Sequence, residues 1–507
     1  MTDTEPAGRK QWLGLVILVL PTLVVAVDLN ALFLALPRLS ADLGASGTQQ
    51  LWITDIYGFM VAGLVITMGS LGDRIGRRRL LLIGGAAFAI ASVVAAYSTS
   101  PEMLIGTRLL LGVAGATLAP STLALISSLF HNDRQRGQAI SIWATSMFAG
   151  AALGPVFGGF LLQHFWWGSV FLISVPVMAL LLICGPILLP EHRNATTGRL
   201  DFVSAVLSLA AVLPLIYGLK QLTIEQSGGT AVPIITIVAG LVLGAIFVRR
   251  QLTLADPLLD LRLFKDRFFT AILIALVVAG ISMAGTGLLV TQYLQGVLGY
   301  SPALSAVLFA PMGLGVALGT MTAPALARRV RPATAIACGL LLSVPGCLLL
   351  TQVHNTSGLP FAMAGVAILA LGTGPLFALG TGLVIGSVPI DRAGSAASMS
   401  ETGNYFGGAL GLAVLGAVGA AVYRDQMAEA GASGTALETL AGASSVAQKL
   451  PAAEAHELLQ TAGTAYTSGL HVVAIIAAVL FAGLSVHLAL AGRAKAISAE
   501  PSVAVVS

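Results

Sequence analysis

Apolar runs of about 20 residues recur along the whole chain, fourteen in all. Each is long enough for one helical crossing of a bilayer. Composition agrees with that reading. Of 507 residues, 56% are hydrophobic and 9% charged, where soluble domains carry about 25% charged residues. Mean hydropathy is +0.92. The expectation is an all-α, multi-pass membrane protein with fourteen transmembrane helices. The net charge of +4 is spread over short loops and gives no basis for nucleic-acid binding.

The three cysteines, Cys184, Cys338 and Cys347, lie inside apolar runs, without C-x-x-C spacing or clustered histidines. No disulfide, metal site or cofactor is expected. The apolar run after Arg9 and Lys10 is too long for a signal-peptide core, and no small-residue cleavage site follows it.

An even number of spans puts both termini on one side, and Lys and Arg decide which. With a cytoplasmic N-terminus, 21 of the 26 basic residues collect inside, from Arg9 and Lys10 through Arg74 and Arg77–Arg79 to Arg493 and Lys495. Arg38, Lys220, Arg424 and Lys449 remain outside, and Arg108 lies within a span. Both termini are therefore expected in the cytoplasm.

The spans divide as six, two and six. A short N-terminal segment (1–11) precedes a six-helix bundle (12–189). Two linker spans with cytoplasmic loops follow (190–267), then a second six-helix bundle (268–492) and a tail (493–507). Span 5 carries Gly150, Gly154 and Gly158, and span 13 carries Gly403, Gly407 and Gly411. Spacing of four puts each trio on one helical face, where backbones can approach closely. Their matched fifth places make the two sixes read as repeats, the plan of many secondary transporters with a midplane site between halves. Outside, residues 423–465 form a long acidic loop rich in Ala and Gly, read as a helical hairpin or a spacer.

The first run, Trp12 to Leu36, contains Asp28. A carboxylate at the centre of a membrane span costs about 2.5–3.5 kcal/mol on insertion scales. It is either satisfied by a neighbouring helix for structure alone, or it faces a cavity and binds a proton or cation. Asp55 and Glu401 are the other acids well inside spans. Counting at about 1.5 Å per residue puts Asp28, Asp55 and Arg108 roughly 9–12 Å below the outer surface. Two carboxylates and a guanidinium at one depth suggest a coupled, proton-relaying site. Glu401 stands near midplane in span 13, with no Lys or Arg inside the second bundle's spans, which suits a site switching between a proton and a cationic substrate. Trp52, Tyr57, Trp143, Phe148, Tyr293, Phe309, Phe377 and Tyr405 are candidate cavity aromatics, since aromatic faces attract quaternary ammonium ions.

Between spans 2 and 3 runs Gly69-Ser70-Leu71-Gly72-Asp73-Arg74-Ile75-Gly76-Arg77-Arg78-Arg79. Its glycines allow a tight turn. Asp73 is placed to cap a helix start or bond to a neighbouring helix. The arginines alone would serve as an orientation signal, which leaves the Gly-Asp-Arg-x-Gly spacing unexplained.

That loop resembles the signature of the major facilitator superfamily. Arg108 and Gly112 resemble its span-4 motif, whose arginine the resemblance implicates in proton transfer. Gly150-x-x-x-Gly154-Pro155-x-x-Gly158-Gly159 resembles its antiporter motif. The segment from Asp28 to Pro37 is similar to the fourteen-span branch, the EmrB/QacA-type drug:proton antiporters, with Leu29 where that branch has Ser or Thr. The resemblance implies proton-coupled export of lipophilic, mostly cationic drugs, antiseptics and dyes, hence antibiotic resistance, from the bacterial cytoplasmic membrane. Asp28, Asp55 and Glu401 match membrane acids used in such pumps. No acid stands between Ser305 and Ala325, which weighs against dicationic substrates. Expected partners are protons, membrane lipids and lipophilic cations, with a monomer as the working unit.

Two alternatives remain: a same-fold exporter of a specific metabolite or self-made antibiotic, and a non-transporting scaffold. An enzyme is not expected, because no nucleophile–base constellation, metal set or nucleotide loop is visible.

Overall fold

A computed structural model describes residues 7–45, 47–191, 202–224, 231–254, 257, 261–355, 357–386, 388 and 393–499. The side chains of Asp55, Pro155 and Tyr405 lie outside the described residues, as do parts of segments 1–11, 190–267 and 493–507. Among the described residues there is no strand.

The first bundle contains α1 (Arg9–Leu43), α2 (Gly47–Ile75), α3 (Arg77–Ala96), α4 (Pro101–Leu129), α5 (Asp133–His164) and α6 (Ser169–Leu188). Next come α7 (Phe202–Ile224) and α8 (Ala231–Thr253). The second bundle contains α9 (Arg267–Val297), α10 (Pro302–Ala327), α11 (Pro332–Leu350), α12 (Leu359–Gly386) and α13 (Ala393–Glu429). Two short helices, α14 (Thr435–Glu438) and α15 (Leu440–Ala447), precede α16 (Ala452–Ala499).

Local chemistry sets several helix starts. Ser100 accepts from the Met103 N–H at 3.2 Å with Pro101 in the first helical position, and Ser301–Pro302 repeats the device on α10. Each satisfies a backbone donor that the helix itself leaves open.

Among the described residues, eleven helices are long and apolar enough to cross a membrane, or twelve if α5, bent by 40° around position 155, counts as one span. Proline at 155 supplies no N–H to the helix ladder, which accounts for a bend there. The expectation of fourteen spans thus meets eleven or twelve. α2 is 29 residues long, with the side chains of positions 51, 55 and 62 outside the described residues. The described apolar part of α7 runs only from Val206 to Leu215.

The glycine stripes are packing seams. α5 lies along α1, and a Cβ on Gly154 would stand 2.6 Å from the Asn30 Cβ. α13 lies along α9, where a Cβ on Gly411 would stand 2.8 Å from the Ile281 Cα. The two bundles meet along α5 and α10, where Thr145 and Thr320 hydroxyls lie 2.6 Å apart, and along α2 and α13. α7 packs on both α2 and α13, so it touches both bundles.

Residues 423–465 are largely helical. α13 and α16 extend into this stretch, and α14 and α15 fold onto the second bundle between them. Ala436, Ala443 and Ala447 are buried, and the Tyr423 hydroxyl donates to the Ala436 carbonyl at 3.0 Å.

Candidate functional site

Two clusters of buried polar groups stand out, one inside the first bundle and one at the seam between bundles.

The first is built on α4. Gly112 and Gly115 leave room for α2: a Cβ on Gly112 would stand 2.7 Å from the Tyr57 carbonyl oxygen. Tyr57 is thereby pressed beneath Arg108, whose Cζ lies 4.8 Å from the ring centroid. Arg108 donates through Nε to the Ile53 carbonyl at 3.1 Å and through Nη1 to Asp28 Oδ2 at 3.4 Å. Asp28 is 1% exposed and Arg108 0%. The contact is longer than the 2.7–2.9 Å usual for a charge-assisted bond, and Asp28 Oδ1 and Arg108 Nη2 have no hydrogen-bond partner. Buried polar atoms rarely go unsatisfied, so this pair holds spare hydrogen-bonding capacity. The expected meeting of Asp28 and Arg108 is present. Asp55 is on α2, with its side chain outside the described residues.

The second cluster is a small cavity between the bundles, with room for about one water (~20 Å³). α5 contributes Trp143, Ala144, Met147 and Phe148. The second bundle contributes Leu276 (α9), Phe377 and Thr381 (α12), and Ser400, Glu401 and Asn404 (α13). Glu401 is 5% exposed, and its Oε2 has no hydrogen-bond partner. The Phe148 and Phe377 rings meet across the seam, centroids 5.1 Å apart. Trp143 is fixed by a 3.0 Å bond from its Nε1–H to the Thr122 hydroxyl. A lone carboxylate with aromatic walls favours an organic cation over an anion.

The structure divides the sequence-predicted aromatics. Trp143, Phe148 and Phe377 line the cavity; Tyr57 belongs to the Arg108 cluster. Trp52 stacks on Tyr217 of α7 at 6.1 Å. Tyr293 is fully buried in the second bundle's core and donates to the His354 carbonyl. Phe309 packs toward Gly287 of α9. Trp52, Tyr293 and Phe309 are therefore outside this cavity, and the Tyr405 side chain is not among those described. Sequence reasoning missed Ser400 and Asn404, although their spacing around Glu401 on one helix face was a usable signal. Thr381 gave none: it follows a π-helical turn, Leu376–Gly380, that shifts the register of α12.

In the loop between α2 and α3, Asp73 takes the second of its two expected roles, the bond to a neighbouring helix. Gly76, at φ 106°, takes the cap position of α3 without a side-chain bond. Asp73 pairs with Arg77 at 2.9 Å, both buried, and Arg77 reaches the Ala124 carbonyl on α4. Spacing of i, i+4 across the turn explains the pairing. Arg78 pairs with Glu191 beyond α6 at 3.3 Å and donates to the Leu189 carbonyl at 3.0 Å. Gly69 and Gly72 lie buried on α2, and Arg74 lies in the last turn of that helix. Gly159, unlike Gly150, Gly154 and Gly158, faces open space.

Residues 18–412 match the Major Facilitator Superfamily. The chain belongs to that superfamily. It is 41% identical over 483 residues to the multidrug efflux pump LfrA of Mycolicibacterium smegmatis, covering 94% of this chain and 95% of that one. It is 35% identical to the methyl viologen resistance protein SmvA of Salmonella typhimurium, covering 80% and 82%. The human organic anion transporter MFSD10 (TETRAN) matches 94% of this chain with a TM-score of 0.58 at 16% identity, a likeness of fold alone. Membership of this superfamily, with efflux pumps among the relatives, is consistent with a non-enzymatic, multi-pass membrane transporter.

Proposed function

We propose that this superfamily member is a proton-coupled antiporter exporting lipophilic cations across the bacterial cytoplasmic membrane. The observation that carries the reading is Glu401: an acid buried at the seam, one oxygen unpaired, among aromatic rings from both bundles. The proposed topology is the fourteen-span, six-two-six plan with both termini cytoplasmic, α2 and α7 crossing as well. It rests on the inside excess of Lys and Arg and on α2 and α7 being 29 and 23 residues long.

The cycle follows from site chemistry. From the inside, an ionised Glu401 attracts a cation from the inner leaflet. Rocking of the bundles exposes the pair outside, and a proton taken up there displaces the cation. Return with the proton is driven by the proton concentration gradient, since one proton exchanged for one monovalent cation moves no net charge; the membrane potential adds about 2.3 kcal/mol per 100 mV only for a further proton carried per cycle. Asp28 and Arg108 hold a second exchangeable charge pair within the first bundle.

The test is drug-triggered proton release. Purified protein in weakly buffered detergent should release protons when ethidium is added, and Glu401→Gln should abolish both that release and ethidium transport into everted vesicles. Unchanged transport by Glu401→Gln refutes the reading. Transport of a neutral or anionic metabolite in place of ethidium would favour the metabolite-exporter alternative.

A further inference from the structure

Two of the rings that line the cavity beside Glu401 come from different bundles. Phe148 is carried by α5 and Phe377 by α12. Their centroids lie 5.1 Å apart with planes tilted 48°. We propose that Phe148 and Phe377 form an aromatic clasp that selects flat aromatic cations over aliphatic ones of the same charge. This rests on the functional reading above and names its substrate class.

Three observations carry the proposal. The first is distance. A flat guest held between two rings needs about 3.5–4.0 Å of carbon contact on each side, so the rings must stand about 7–8 Å apart. Against 5.1 Å now, the opening required is about 2–3 Å. Because each ring belongs to a different bundle, a small relative movement supplies that opening without repacking either core.

The second observation is how Phe377 is held. It sits in the π-helical turn Leu376–Gly380, directly after Pro375. Such turns cost regular hydrogen bonding and are frequent at functional sites. Here the turn sets Phe377 and Thr381 on the cavity wall together. The Phe377 side chain is 7% exposed, so its position is fixed by packing.

The third observation is charge placement. Glu401 lines the same cavity, and its Oε2 is the unpaired acceptor there. A cation drawn to Glu401 therefore lies beside the two ring faces. Both kinds of cation feel the cation–π attraction of the rings, but only a flat aromatic cation adds ring-on-ring stacking to it.

The experiment compares two monovalent cations, ethidium and radiolabelled dodecyltrimethylammonium, in everted vesicles. The variants are Phe148→Leu, Phe377→Leu, Phe148→Trp and Glu401→Gln, each checked for monodisperse purification. Loss of one ring face should raise the apparent KM for ethidium about three- to thirtyfold. The KM for dodecyltrimethylammonium, which keeps only the cation–π attraction, should rise several-fold less than that for ethidium, and Phe148→Trp should restore ethidium. Two results overturn the clasp: equal weakening for both cations by the Leu variants, or no change for ethidium. Both require that Glu401→Gln still stops both cations. If Glu401→Gln leaves both unchanged, the parent reading fails, and the clasp falls with it.

Discussion

Gly154→Ala and Gly159→Ala differ only in which face of α5 receives a methyl group. At Gly154 the new Cβ stands 2.6 Å from the Asn30 Cβ, 2.9 Å from the Val27 carbonyl oxygen and 3.3 Å from the Ala31 nitrogen. Carbon pairs are most stable at about 3.5–4.0 Å, so the overlap is about 1 Å. Two of the atoms met are α1 backbone, which moves only with its helix. Overpacking of this kind costs about 1–3 kcal/mol. At Gly159 nothing lies within 4 Å. Both changes gain the same helix propensity, about 1 kcal/mol, so it cancels in the comparison. Gly154→Ala should be the less stable by about 1–3 kcal/mol, and its efflux should fall while that of Gly159→Ala holds. Denaturant titration in mixed micelles, read by tryptophan fluorescence, gives the difference, and vesicle efflux gives the function. Equal stability of the two variants would refute the tight α1–α5 seam.

Further outcomes follow from the buried charges and the loop. Asp28→Asn leaves Arg108 buried without its counter-charge, and breaking one side of a buried pair costs about 3–5 kcal/mol. It should lose efflux and stability, and Asp28→Asn with Arg108→Gln should regain stability but not efflux, by thermal unfolding and dye transport. Gly76→Ala places a side chain at φ 106° and against the Glu191 carboxylate. Left-handed strain of about 1–2 kcal/mol and the clash should lower the unfolding midpoint; an unchanged midpoint would mean the turn relaxes freely.

What the sequence discloses depends on whether a cue is one-dimensional. Helix starts are, because a Ser-Pro pair acts within one turn, and Ser100-Pro101 begins α4. Depth is too: counting residues set Asp28 and Arg108 level, and the structure joins them. Choosing a face is harder. On helices apolar all round, nothing in composition separates a cavity aromatic from a core one, so Phe148 and Tyr293 looked alike. One lines the seam and the other is locked in the second bundle. Tyr57 under Arg108 was hidden because it depends on Gly112 and Gly115 of another helix. The π-helical turn hid Thr381, since regular 3.6-residue spacing fails across it.

The two acids stand in different mechanical settings. Asp28 and Arg108 are on α1 and α4 of one bundle, so their pairing survives any movement of one bundle against the other. Glu401 faces α5 across the seam, so its surroundings change with every such movement. One helix touches both settings. On one face of α5, Gly150 packs against Leu23 and Ala26, and Gly154 against Val27 and Asn30, bracketing Asp28. Phe148, two residues before Gly150 and so about 200° around the helix, faces the Glu401 cavity. A shift of α5 that admits a guest beside Glu401 presses on the α1 backbone around Asp28, and the glycines leave no slack to absorb it. Under the proposed cycle, communication between the acids is therefore steric and runs through α5. Slack introduced on the cavity face, as by Phe148→Leu, should weaken binding without touching the Asp28–Arg108 pair, whereas a wedge at Gly154 should disturb both.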